Sequence, residues 1–123
     1  MFDHVSIGAR ELARTKTFYD AALAPLGYKR LTESADSLGY GADTVRLWIL
    51  ATATPVFADA RSGLHICLTA PSRRAVREFY DRALRYGGSD NGAPGLRPEY
   101  RADYYAAFVA DPDGYRIEAY FGG

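Results

Sequence analysis

The sequence predicts an α+β fold made of two successive βαβββ units. Three observations carry this reading. Short segments alternate apolar and polar residues with the period of a strand. Two longer segments place apolar residues at helical spacing. The order of strand, helix and further strands then occurs twice, and its landmarks are displaced by a constant interval.

In the first unit, Phe2 to Ala9 alternates, with Val5 and Ile7 on one face and Phe2, His4 and Ser6 on the other. Residues 10–24 take helical spacing through Leu12, Phe18, Tyr19, Ala22 and Leu23, and Pro25 with Gly27 ends that helix. Tyr28 to Thr32 reads as a second strand. Ser37 to Gly41 is a third, weakened by Gly39 and Gly41. Val45 to Ala51 is a fourth, with Val45, Leu47 and Ile49 opposite Arg46, Trp48 and Leu50. Residues 52–62, rich in Thr, Ala and Pro, connect the halves.

In the second unit, Gly63 to Thr69 is a strand with Leu64, Ile66 and Leu68 opposite His65, Cys67 and Thr69. Pro71 and Ser72 open a helix through Arg85, which Gly87 and Gly88 end. Residues 89–98 contain Gly92, Pro94, Gly95 and Pro98 and read as a loop, with at most one short strand at its start. Ala102 to Ala110 is a strand. Asp111-Pro112-Asp113-Gly114 is a tight turn, because Pro fixes φ, Gly supplies positive φ and Asp bonds local backbone. Beyond it Tyr115, Ile117, Ala119 and Phe121 face one way, and Arg116, Glu118 and Tyr120 face the other.

The repeat is explicit. Phe18-Tyr19-Asp20 returns as Phe79-Tyr80-Asp81, Gly27 as Gly88 and His4 as His65, each at 79 − 18 = 61 residues. The last strands align at 115 − 45 = 70, placing Val45-Arg46-Leu47-Trp48 on Tyr115-Arg116-Ile117-Glu118. One domain over 1–123 is expected, with units at about 1–52 and 62–123.

Charge and cysteine usage narrow the partners. With 15 basic and 15 acidic residues the formal net charge is zero, which argues against nucleic acid or a membrane surface. The single cysteine, Cys67, excludes an internal disulfide and suits a reducing cytoplasm. There is no apolar run of about 18 residues, and the chain begins directly with a strand pattern, so neither a membrane span nor a signal peptide is expected. The 10 tyrosines suit a pocket for a small organic molecule or simply fill the core; both readings stand.

The repeat also bears on chemistry. The only two histidines occupy the same repeat position and the same strand face, opposite aliphatic residues that should pack on the helices. His4, His65 and Glu118 then look into the concave side of the sheet. Two imidazoles and one carboxylate form a natural site for a divalent metal with open positions. The plainer alternative is a pair of satisfied strand histidines and a solvated edge glutamate.

Paired βαβββ units, His4 and His65 on first strands, and the motif Asp111-Pro112-Asp113-Gly114-Tyr115-Arg116-Ile117-Glu118 together resemble the vicinal oxygen chelate superfamily. This is the glyoxalase, bleomycin-resistance and extradiol-dioxygenase group. The resemblance spans essentially the whole chain. It implies that each unit curls into half of an open, curved, barrel-like mixed sheet with helices on the outside. It places the metal ligands on His4, His65 and Glu118, holding Zn, Ni, Mn or Fe. The fourth ligand of glyoxalase I would fall at Leu47-Trp48, where no ligating side chain stands, which argues against glyoxalase I proper. Three ligands resemble the extradiol dioxygenases and the fosfomycin-modifying transferases instead. With both histidines used as ligands, none remains for the acid–base work of a dioxygenase.

The resemblance implies a metal-dependent enzyme of lyase, dioxygenase or transferase type, acting on a small oxygenated metabolite or thiol conjugate. The alternative is a metal-free small-molecule or drug-binding protein of the bleomycin-resistance type. Ser6, Arg46, Trp48, Cys67, Arg116 and Tyr120 are expected to line the pocket, with Glu118 and Tyr120 as catalytic candidates and either Tyr104 or Tyr105, together with Tyr40, as further candidates for a hydrogen-bond donor or proton relay. Arg46 and Arg116 form an anion site or reach solvent and carboxylates. Trp48 walls the pocket or fills the barrel. Cys67 is a ligand or reactive thiol, or a small filler. Residues 89–101 are a lid or a plain surface excursion. A homodimer is expected, and the cup forms within one chain or across two.

Overall fold

The computed structural model describes residues 1–123. The first unit comprises β1 (Val5–Ala9), α1 (Leu12–Leu23), a 3-10 turn (Ala24–Leu26), β2 (Lys29–Glu33), β3 (Ser37–Gly41) and β4 (Val45–Ala51). The second comprises β5 (His65–Thr69), α2 (Arg73–Arg85), β6 (Ser89–Leu96), β7 (Tyr104–Ala110) and β8 (Arg116–Gly122). Both are the expected βαβββ units. The strands form two four-stranded sheets, in the orders β1-β4-β3-β2 and β5-β8-β7-β6, and in each the first strand runs parallel to the last.

One expectation is overturned. The eight strands do not make an open barrel-like mixed sheet with helices outside; there are two separate sheets, neither closed nor curled into a barrel. The reason lies in where the apolar surface goes. β1 and β5 are sheet edges and no ladder joins them. Each helix packs on its own sheet, α1 on β2–β4 and α2 on β6–β8, and the helices also pack on each other. Phe18, Tyr19, Ala22 and Leu23 of α1 thus share one core with Val76, Phe79 and Ala83 of α2. Gly88 marks the closeness of that junction. A Cβ there would lie 2.5 Å from the Phe18 ring and 2.8 Å from the Ala83 carbonyl.

The ends of elements follow local chemistry. Ser72 caps α2, its hydroxyl accepting from the Ala75 amide at 3.0 Å. Gly27 ends the 3-10 turn at φ 89°, a left-handed position that favours glycine. The 89–98 segment is more ordered than its Gly and Pro content suggests, because β6 is an edge strand. Its pairing with β7 shifts register on either side of Gly92, which absorbs the irregular residues as bulges and leaves Pro94 no ladder to break. No helix is long and apolar enough to cross a membrane.

The turn at 111–114 joins the units. Asp111 is buried, and its Oδ1 accepts from the Asp113 and Tyr115 amides at 2.9 and 3.0 Å. Its Oδ2 accepts from the Tyr19 hydroxyl of α1 at 2.6 Å. Asp113 reaches the start of α1, accepting from the Arg10 amide at 3.2 Å and the Thr15 hydroxyl at 3.4 Å. Tyr28 adds a further bridge, donating to the Thr69 carbonyl of β5 at 3.1 Å.

Burial pushes the Asp111 carboxyl up to about 6, against the pull of the Tyr19 hydroxyl and the two amides. The folded protein therefore takes up this proton at higher pH than the unfolded chain, whose reference value is 3.8. The associated stability is fully present below the unfolded value and is lost as pH rises through the folded one. Urea unfolding of wild type and Asp111→Asn at pH 4 and pH 7 checks this. The variant should gain on wild type by about 2–3 kcal/mol over that interval; a constant difference would contradict the assignment.

Candidate functional site

The second sheet presents one face to its helix and leaves the other open. On the open face the parallel pairing of β5 with β8 sets His65 beside Arg116, Cys67 beside Glu118 and Thr69 beside Tyr120. The β7–β8 hairpin adds Phe108 beside Glu118 and Ala106 beside Tyr120, with Tyr104 on the same face. Glu118 is only 2% exposed although it lies on the open face, so its charge must be satisfied locally. The Tyr104 hydroxyl donates to its Oε2 at 2.6 Å, and Nε2 of His65 stands 3.0 Å from its Oε1. Burial first, then the bond to Glu118, raises the Tyr104 phenol above its ordinary range, so it keeps its proton and acts as a donor.

His65 and Glu118 fit a metal-ligand role on geometric grounds. An imidazole nitrogen and a carboxylate oxygen each about 2.0–2.2 Å from one ion are roughly 3–3.4 Å apart, and the observed 3.0 Å falls in that range. Tyr104 on the other oxygen orients the carboxylate, as partners of metal ligands commonly do.

His4 is exposed and lies just before β1, on the first sheet. Its Nδ1 is 2.7 Å from Oδ2 of Asp3, an arrangement that leaves Nε2 free and fixes the ring. That hydrogen bond holds the Asp3 carboxyl below its usual range. The chain alone does not bring His4 to His65 and Glu118. No three His, Cys, Asp or Glu side chains converge closely enough to hold a metal.

The two arginines expected at equivalent positions are equivalent in their contacts. Arg46 donates to the Asp3 carbonyl at 2.9 Å and Arg116 to the Leu64 carbonyl at 3.2 Å. The offsets, 116 − 46 = 70 and 64 − 3 = 61, are those of the repeat. Each guanidinium thus clamps the residue immediately before a histidine through one of its nitrogens.

Ser6 pairs with Trp48, as Cys67 pairs with Glu118, so the symmetry read from spacing holds in register. The Trp48 ring lies across Gly39, where a Cβ would meet it at 3.0 Å. Tyr120 shares the Glu118 face, but its ring stacks on Tyr104 at 4.2 Å, and Tyr104 makes the bond to the carboxylate. Cys67 is an exposed residue, not a buried filler. Partial desolvation against the sheet, then the nearby Glu118 charge, pushes the thiol up to about 12. A cavity of about 230 Å³ lies between the first strands of the units, lined mainly by Val5, Leu47, Ile66 and Leu68 with Arg46 and Cys67. Neither histidine nor Glu118 lines it.

Sequence reasoning left Tyr104 undecided between two neighbours and gave no role to Phe108 or to the Tyr19–Asp111 bond. A signal for the first two was present. A tight turn at 111–114 fixes hairpin register, and counting back from it puts residues 108, 106 and 104 on the Glu118 face.

Comparison with known proteins agrees with this architecture. The profile of the Glyoxalase/Bleomycin resistance protein/Dioxygenase superfamily matches residues 1–119. A glyoxalase/bleomycin resistance protein from Albidiferax ferrireducens superposes with a TM-score of 0.86 at 28% identity, over 98% of each chain. A candidate glyoxalase from Bacillus halodurans gives 0.74 at 26% identity, over 98% of this chain and 94% of its own. The fosfomycin resistance protein FosX from Listeria monocytogenes shares the fold at 15% identity, with a TM-score of 0.73 over 100% and 93% of the chains. No curated protein matches in sequence. Two βαβββ units, the second closing on an Asp-Pro-Asp-Gly turn and a strand with a buried glutamate, matched over almost the full length by that profile, place this chain in the glyoxalase/bleomycin-resistance/dioxygenase, or vicinal oxygen chelate, superfamily.

Proposed function

We propose that this protein is a glyoxalase-related, metal-dependent enzyme acting on a small oxygenated metabolite or thiol conjugate. Its 123 residues would act as one glyoxalase-like domain. The observation that carries the reading is the carboxylate of Glu118, buried on an otherwise open face, with one oxygen held by Tyr104 and the other facing His65. His4, oriented by Asp3 with Nε2 free, supplies a third ligand. Because His4 belongs to the other sheet, we propose that the site is completed across a homodimer, His4 of one copy meeting His65 and Glu118 of a second.

A bound Zn, Ni, Mn or Fe would supply a Lewis acid that chelates adjacent substrate oxygens and stabilises negative charge developing on them. The chain's own groups do the rest. Glu118 and the histidines bind, Tyr104 fixes the carboxylate through its phenolic proton on Oε2, and Arg46 and Arg116 position the histidine-bearing segments. Trp48, at the repeat position of Glu118, offers an aromatic wall in place of a fourth ligand. This favours a relative of glyoxalase I over glyoxalase I itself. A second reading, metal-free capture of a small apolar molecule or drug, draws on the apolar cavity between the units.

Metal content separates the two. Protein purified without chelator should carry divalent metal in stoichiometric amount, and a His4→Ala, His65→Ala double variant should lose it. A wild type that takes up none of Ni, Mn, Fe or Zn would exclude the enzyme reading. Tyr104→Phe should lower metal affinity roughly 10–100-fold, the usual cost of removing a partner of a metal ligand; unchanged affinity in a competition titration would remove Tyr104 from the site.

A further inference from the structure

Besides Arg116, which clamps the Leu64 carbonyl next to His65, two guanidinium groups lie on the open face of the second sheet, outside the ligand set. Both come from the segment between β6 and β7, which backbone bonds fold into a turn: the Tyr100 amide donates to the Arg97 carbonyl at 3.0 Å, and Tyr104 to Arg101 at 3.2 Å. Arg97 lies over the Phe108 ring, 5.3 Å from its centroid, and Phe108 stands beside Glu118 in the hairpin. Arg101 lies over the Tyr104 and Tyr120 rings at 5.4 and 5.3 Å. Gly122 leaves the room for this, since a Cβ there would come within 2.7 Å of the Arg101 guanidinium and would overlap the Tyr120 hydroxyl.

The two arginines differ in what remains free. Arg97 donates to the Ala93 carbonyl at 2.6 Å and to the Leu96 carbonyl at 3.4 Å. Arg101 has only Asp103, at 3.5 Å, with both side chains more than half exposed. Most of its donors are open, while its position is fixed by stacking on two rings. Tyr104 links it to the candidate metal site, its ring beneath Arg101 and its hydroxyl on Glu118. One tyrosine side chain therefore carries a cation on its ring face and the candidate ligand carboxylate at its hydroxyl.

Resting on the metal-site reading, we infer that the substrate carries a carboxylate remote from its reacting oxygens, and that Arg101 binds it. The planar fork of a guanidinium matches the two oxygens of a carboxylate. Arg101, beside Asp103, is the cation at this end of the face with most of its donors open, which suits a single negative charge; Arg116 stands at the other end, beside His65. The Tyr104–Tyr120 stack supports the carbon skeleton between the two ends. Binding energy collected at such a remote group orients the reacting end.

Calorimetry on Ni-loaded protein tests this with 2-oxoglutarate and 2-oxopentanoate, which share a vicinal oxygen pair and differ in the remote carboxylate. The first should bind roughly tenfold tighter. Arg101→Gln should abolish that preference and leave 2-oxopentanoate unchanged. Equal affinities in wild type, a preference retained in Arg101→Gln, or tighter binding of 2-oxo-4-phosphonobutanoate than of 2-oxoglutarate would overturn the inference. Glutarate against pentanoate on metal-free protein keeps the test independent of the ligand set. A carboxylate preference lost in Arg101→Gln supports the Arg101 site even if no metal binds; no preference overturns it.

Discussion

The hydrogen bond from Tyr19 to Asp111 holds the last turn of the second unit against the helix of the first. A buried carboxylate is costly to desolvate, so it persists only where both of its oxygens are hydrogen-bonded. Here the two oxygens take three donors, two of them amides of the turn itself. The same contacts therefore shape the turn and anchor it. Because the turn fixes where β8 begins, it also fixes which β8 residues face the helix and which face outward. The placement of Glu118 on the open face, and of Ile117 and Ala119 in the core, follows from that anchor.

Duplication explains much of the remaining arrangement. The last strand of each unit carries an arginine that reaches back to the carbonyl preceding a histidine at the start of, or just before, the first strand. The two units are thus alike in how they present histidine and unlike in what stands two residues beyond that arginine, tryptophan in one and glutamate in the other. One unit offers His65 with a carboxylate; the other offers His4 with an aromatic surface. Such units complement each other, so the proposed site needs one end of each.

The fold was legible to the extent that it rests on local pattern. Strand alternation and helical spacing placed β3 and β4 at their observed bounds and the other predicted elements within a few residues. The repeat offsets, read from Phe18-Tyr19-Asp20 and the histidines, reappear in the sheet register of Ser6 with Trp48 and Cys67 with Glu118. How the units assemble was not legible. Alternation says which face of a strand is apolar, but not whether its helix will pack on the other helix, and that choice separated the two sheets. β6 was hidden because edge strands tolerate the Gly and Pro that mark loops elsewhere. Tyr104 and Arg101 were obscured because their faces depend on hairpin register and on a turn whose hydrogen bonds have no sequence period.

In the proposed homodimer His4 of one copy works with His65 and Glu118 of another. Mixing His4→Ala protein with Glu118→Ala protein under conditions that exchange subunits, then measuring bound metal, addresses it directly. Each variant alone lacks an intact site. In the mixed dimer one site would combine both substitutions and the other would combine neither, so metal binding should return at one ion per mixed pair. No recovery in mixed dimers, with subunit exchange verified, would contradict a shared site.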